Sequence, residues 1–142
     1  IYNSRIRDAF LEHRVCFYPQ PLDFERLERA GRAFEGTHDF AAVRSVGTET
    51  RTTVRTVHWC RAERDGAMIS IAVCADGFLY NMVRIMVGTV LEIAAGIKAP
   101  GCIPQIIESR DRAMAGFTAP AWGLYLDQVF YDNERLEQRT EG

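Results

Sequence analysis

The chain has little of what metal centres and nucleophilic sites are built from. Its 142 residues hold three histidines (His13, His38, His58) and four cysteines (Cys16, Cys60, Cys74, Cys102). No two cysteines form a C-x-x-C pair, and no histidine stands at ligand spacing from a cysteine or a second histidine. Zinc signatures and a disulfide framework are therefore unsupported, and free thiols are expected. A glycine-rich phosphate loop and a serine–histidine–aspartate pattern are missing too. So are a signal peptide, internal repeats and linkers. No long uncharged hydrophobic run exists. The most apolar stretch, around Arg84, is too short and carries a charge mid-segment, which speaks against a membrane span.

An excess of positive charge is also absent. Lysine and arginine number 17 against 19 acidic residues, a net charge of −2. A strongly basic RNA-binding domain, drawing its affinity from phosphate neutralisation, is not indicated. The charge is uneven, however. Arg44, Arg51, Arg55, Arg61 and Arg64 crowd into a short span against Glu49, Glu63 and Asp65. That leaves two extra positive charges, which on the residues alone read as a solvated strand face.

What is present suits a globular domain. Hydrophobic residues make up 47% and charged residues 25%, and the length supports one core. One domain is expected over residues 1–131, with a polar tail over 132–142. His13 to Tyr18 reads as a strand stopped by Pro19-Gln20-Pro21. Asp23 reads as a helix N-cap with Leu22 and Leu27 as its staple. Phe24, Leu27, Ala30 and Phe34 recur at helical spacing, and Gly36 is expected to close that helix. His38-Asp39-Phe40 reads as a loop or short turn, and Ser45 to Thr53 as a mobile loop.

Arg55–Arg64 and Ala67–Cys74 read as two strands of a hairpin turning at Asp65-Gly66. Val57 and Trp59 share one face of the first, and Ile69, Ile71 and Val73 one face of the second. The nearly uncharged helix after Phe78 should be buried against the sheet and end at Gly96. Pro104 opens another helix. Leu124 to Tyr131 reads as the last strand. The order β-α-loop-β-β-α-α-β gives an α+β fold with a mostly antiparallel sheet backed by helices.

The stretch from Asp76 to Gly88 is the most informative. Only Arg84 and Glu92 are charged between Leu79 and Ala95. A guanidinium does not deprotonate, and its burial without a partner is costly. Either an anion meets Arg84, or the side chain snorkels to the surface. His38 beside Asp39 invites an acid–base reading, but a local hydrogen-bonded role is the simpler one.

These residues resemble a known family. Gly77-Phe78-Leu79-Tyr80-Asn81-Met82-Val83-Arg84, running on to Val87-Gly88, is similar to the GFLYxMVRxxVG signature of the TruA tRNA pseudouridine synthases. Gly36-Thr37-His38-Asp39-Phe40 is similar to the family's G-x-H-D-F element. Asp111-Arg112, Ala115-Gly116-Phe117-Thr118-Ala119-Pro120-Ala121 and Gly123-Leu124-Tyr125-Leu126 resemble its ending. Ile1-Tyr2-Asn3 and Pro21-Leu22-Asp23 match the approach to this domain. The blocks keep the family's order from the first residue to about Tyr131.

The resemblance implies a pseudouridine synthase-like fold and a reaction without metal or organic cofactor. Uridine is isomerised to pseudouridine at positions 38 to 40 of the tRNA anticodon stem-loop, by a cytoplasmic homodimer. It also implies that the family's R-T-D-A-G aspartate segment and its upstream tyrosine are missing, so the chain looks like the C-terminal domain of a longer enzyme. Arg84 corresponds to the arginine that supports the catalytic aspartate. Leu124, with Gly123, corresponds to the lining of the uracil pocket. Phe78 and Tyr80 could underlie that pocket or fill the core, core filling being the better reading for Phe78. His38, Arg44, Arg51 and Arg55 fall to the RNA side. Val43 departs from an aromatic often found there, which weakens any stacking role before Arg44. The alternative is a non-enzymatic α+β module for RNA binding or dimerisation.

Overall fold

The structure is a computed structural model that describes residues 1–45 and 50–128. Helix α1 spans Phe24–Arg32. The Asp23 carboxylate accepts the Arg26 N–H at 3.2 Å, and Leu22 and Leu27 are both buried, as the capping pattern requires. Glu25 in the first turn and Arg29 and Arg32 in the last complement the helix dipole. Gly36 does not close this helix. Ala33 is its C-cap, and Gly36, at φ 108°, opens a strand instead.

The sheet has three antiparallel strands in the order β1-β2-β3: β1 Gly36–Asp39, β2 Val54–Asp65 and β3 Met68–Ala75. Strands β2 and β3 are joined by Gly66-Ala67, with Asp65 paired to Met68. Gly66, at φ 59°, supplies the left-handed residue that a two-residue hairpin needs. His38 and Asp39 are strand residues rather than a loop, paired with Arg55 and Val54. That pairing spans a long connection, so no local pattern announces it.

The pairing slips between Val57 and Trp59. The extra residue breaks the alternation. Val57 and Cys60 belong to the main core. Trp59 is buried outside it, with the Arg61 guanidinium 5.0 Å from its ring centre. The expected shared face of Val57 and Trp59 is thereby lost. On β3, Ile69 is buried and Ile71 and Val73 pack against the core as the alternation predicts.

The expected strand over His13–Tyr18 shrinks to one bridge. Tyr2 pairs with Phe17 in parallel and with Met68 in antiparallel fashion. Its N–H donates to the Cys16 carbonyl at 2.8 Å, and the Tyr18 N–H donates to the Tyr2 carbonyl at 3.0 Å. His13 sits at φ 63°. The chain is turning there, and only the residues after Val15 are extended.

Helix α2 spans Met82–Ala94, and α3 spans Ile103–Ser109 with Pro104 in its first turn. Gly96 follows the α2 C-cap at φ 84°. The Gly96 N–H donates to the Ile93 carbonyl and the Ile97 N–H to the Glu92 carbonyl, a Schellman ending. One cluster joins α1, α2, α3 and the inner sheet face, with Leu27, Phe34, Phe40, Met82, Ile85 and Leu91 all buried. Each such side chain contributes about 1.5–3 kcal/mol of transfer free energy.

The segment 115–119 lies along α2. A Cβ on Gly88 would stand 1.7 Å from the Phe117 carbonyl oxygen, and one on Gly116 would stand 2.6 Å from the Thr89 Cα. Two backbones touch here, and only glycine permits it. The Thr89 hydroxyl accepts the Gly116 N–H at 2.8 Å. Arg112 straps the segment from outside through the Gly116 carbonyl, 2.7 Å, and the Thr118 hydroxyl, 3.2 Å. Beyond it residues 124–128, the described part of the expected last strand, are irregular. Its remainder, the polar tail and the centre of the Ser45–Thr53 loop lie outside the described residues. No helix among the described residues is long and apolar enough to cross a membrane.

Candidate functional site

Arg84 is the third residue of α2 and is half-buried. Its Nε donates to the Ala119 carbonyl at 2.7 Å, and Ala119 returns its N–H to the Arg84 carbonyl at 3.0 Å. One Nη1 hydrogen goes to the Asn81 Oδ1 at 3.1 Å. The Gly88–Gly116 contact one turn on sets the depth of segment 115–119, and so the place of the Ala119 carbonyl.

Both oxygens are neutral. Among the described residues no carboxylate forms an ion pair with Arg84, and both Nη2 hydrogens are without an acceptor. The first turn of α2 has no acidic residue, although the helix dipole favours negative charge there. A fixed cation at a helix N-terminus, with part of its donor fork unused, is suited to grip an anion end-on. Arg84 thus neither pairs within the described chain nor lies free on the surface.

The loop before α2 carries both buried and exposed apolar residues. Leu79 is buried at 6% exposure, whereas Phe78 is 43% and Tyr80 63% exposed. Phe78 therefore does not fill the core; Leu79 turns inward in its place, and its N–H donates to the Met82 Sδ. Leu124 is 49% exposed. Gly123, at φ 89°, passes so close to residues 14–16 that a Cβ would be 3.0 Å from the Arg14 carbonyl. His13 packs against Trp122, the two rings 4.5 Å apart between centres and tilted by 47°. Leu124 is thus anchored just beyond the segment that holds Arg84.

The basic residues divide. Arg55 lies across from His38 in the sheet register. Its Nη1 donates to the Thr52 and Val54 carbonyls, 2.9 and 2.7 Å. Gly77 leaves room for it, since a Cβ there would be 3.3 Å from the Arg55 Nε. Thr56 and Asp76 are bonded through backbone and carboxylate, which ties the start of β2 to the 76–80 loop. Arg51 is exposed and Arg44 half-buried near this end. Arg64 is nine positions along β2 from Arg55, roughly 30 Å at strand rise, and bonds the Gly66 carbonyl. The five arginines do not make one patch.

His38 and Asp39 do not form an acid–base pair. The His38 Nε2 bonds the Glu35 carbonyl at 2.9 Å. The Asp39 carboxylate accepts from Thr53 and from the Ala41 N–H, and pairs with Arg110 at 3.5 Å. Both secure the β1 end. Sequence reasoning missed Asn81 and Ala119, which hold Arg84, and Ser45, which holds Asn81. A capping-type residue just before a helix is a signal for Asn81, but its contacts are not legible without the fold.

A sequence model of the family described as tRNA pseudouridine synthase matches residues 30–132. A tRNA pseudouridine synthase A of Acetivibrio thermocellus is 50% identical over 131 residues, covering 92% of this chain and 54% of its own length. That of Geobacillus kaustophilus is 41% identical over 136 residues, covering 96% and 53%. That of Staphylococcus aureus is 37% identical over 136 residues, covering 96% and 52%. The chain spans about half the length of the curated relatives it matches. The matched region runs from α1 through α2 to the Arg84–Ala119 contact and Leu124, and the chain belongs to the tRNA pseudouridine synthase family.

Proposed function

We propose that the full-length protein isomerises uridine to pseudouridine at positions 38 to 40 of the tRNA anticodon stem-loop, and that this chain supplies one wall of the active site. The reaction breaks the C1′–N1 bond, turns the base and rejoins it through C5. The uridine has to leave the stack first. In this reading a carboxylate from outside these 142 residues does the covalent or acid–base work. Arg84 holds it ionised and aimed with the unused part of its guanidinium fork. Leu124, Gly123, Phe78 and Tyr80 border the base. His38, Arg44, Arg51 and Arg55 lie on the RNA side. The protein is read as a cytoplasmic homodimer working on tRNA with no metal or organic cofactor.

The observation that carries this reading is Arg84 itself, fixed by two neutral oxygens with no described carboxylate paired to it. Family membership favours a synthase over a non-enzymatic module. The test uses Arg84→Lys and Arg84→Met in the full-length enzyme. Both fold, because lysine keeps the charge and methionine removes a half-buried cation. Both lose single-turnover rate on the order of 10²-fold or more, as when a preorganised electrostatic contact is removed. The tRNA dissociation constant stays within about twofold, since the contact serves the carboxylate rather than the RNA backbone. Normal turnover with weakened binding would make Arg84 a phosphate ligand instead.

A further inference from the structure

Asn81 breaks two local rules at once. It is the N-cap of α2, yet it sits in the left-handed region, at φ 59° and ψ 12°, and its side chain caps nothing. An asparagine before a helix ordinarily bonds the N–H of the second or third helical residue. Here the amide is used elsewhere. Its Oδ1 accepts from the Arg84 Nη1 at 3.1 Å, and its Nδ2 donates to the Ser45 hydroxyl at 2.8 Å. Arginine has no acceptor, so the amide oxygen has to face it. That leaves Nδ2 for Ser45 and fixes the amide orientation. Ser45 is held in turn, its N–H donating to the Tyr80 carbonyl at 3.1 Å.

Local rules given up together mark a functional constraint. We propose that Asn81 is a positioning residue, which with the Ala119 carbonyl clamps the Arg84 guanidinium so that its free hydrogens face the reacting carboxylate. The proposal rests on the reading of Arg84 given above. Without Asn81, the guanidinium keeps one anchor at Nε and can rotate about its last torsions. A displacement of about 1 Å at a reacting group costs up to 10²-fold in rate.

Two variants of the full-length enzyme test this. Asn81→Gly keeps the left-handed backbone without strain and removes only the amide. Its single-turnover rate falls about 10- to 100-fold, while the melting temperature and the tRNA dissociation constant stay close to wild type. Asn81→Asp keeps an acceptor and the backbone but places a carboxylate on Arg84. It competes for the fork and adds a negative charge beside the reacting carboxylate. That carboxylate then holds its proton to higher pH, so the acidic limb of the rate–pH profile moves up by about one unit or more.

The ionisable side chains on the residues that touch Asn81 and on their chain neighbours are Arg84 on α2, Arg44 before Ser45 and Tyr80 in the preceding loop, and none of them is a carboxylate. Asp76 is engaged by the Thr56 N–H and Asp39 by Thr53 and Ala41. Residues 115–121 carry no ionisable side chain. A residue that merely shaped the turn would leave the acidic limb in place. Wild-type rate in Asn81→Gly, or an unmoved acidic limb in Asn81→Asp, would overturn the assignment. Arg84→Met measured alongside separates the two claims. If it is impaired while both Asn81 variants behave as wild type, only the role of Asn81 fails. If it is itself fully active, the reading of Arg84 fails and the clamp with it.

Discussion

Phe78 and Leu79 are adjacent and both apolar, but only one is core. Leu79 joins Met82, Ile85 and Met86 in an interior that closes within the chain. Phe78 is exposed, as are Tyr80, Leu124, Tyr125 and Leu126, and Phe78 and Tyr80 lie in the loop that leads into the helix carrying Arg84. The interior is closed: Gly88 and Gly116 bring backbone against backbone, Asp23 caps α1 and the apolar residues interlock. The exposed strip shows the reverse, with apolar side chains uncovered and a cation held by neutral groups. Apolar surface that a domain leaves open beside a fixed charge marks a binding site more often than a packing fault. The same short stretch, 76–88, serves both regions, its buried residues anchoring the helix and the others facing outward.

The sharpest way to break this contrast is at the junction of the two regions. Gly88→Ala puts a Cβ into the Phe117 carbonyl, where backbone faces backbone and no flexible side chain can give way. A loss of about 3 kcal/mol or more is expected, measured by urea denaturation, or else displacement of segment 115–119. Next comes the neighbouring pair. Leu79→Ala costs about 2–5 kcal/mol, whereas Phe78→Ala stays within about 0.5 kcal/mol. Equal costs would abolish the distinction between interior and strip.

The smallest effect concerns Cys60. Burial first, and then the nearby Glu35 charge, push its thiol up to about 12 from 9.0. A thiol whose pKa is raised by folding stabilises nothing extra below the unfolded value. Above it the unfolded chain loses the proton first, so stability falls as pH rises from about 9 towards 12. The fall is up to roughly 1.4 kcal/mol per pH unit, read as the melting temperature between pH 8 and 10.5. Iodoacetamide at pH 8 should label the half-buried Cys102 before Cys60. Fast labelling of Cys60 in the folded chain would mean the interior opens.

Much of the finished region was legible from sequence because its signals are local. Asp23 with Leu22 and Leu27, Gly66 in the hairpin, and Gly96 after α2 each act within a few residues. The errors fall where a distant segment decides. His38 and Asp39 became a strand only through β2. Trp59 left the core face because of a bulge that no spacing shows. His13 turned the chain through a left-handed residue that is not glycine. For the site, the motif containing Arg84 was readable, but its clamp joins residues 45, 81, 84 and 119. Phe78 was expected to fill the core, and its exposure was not legible because hydrophobicity alone does not separate a core residue from an exposed one.

The central claim is that this chain has a complete interior and an incomplete site. It is tested by incubating the purified 142-residue chain with unmodified tRNA and assaying pseudouridine by chemical derivatisation and mass spectrometry, beside the full-length enzyme. The account predicts a folded chain, with cooperative melting and no pseudouridine above background, while the full-length enzyme turns over. Pseudouridine formed by the chain alone would contradict it.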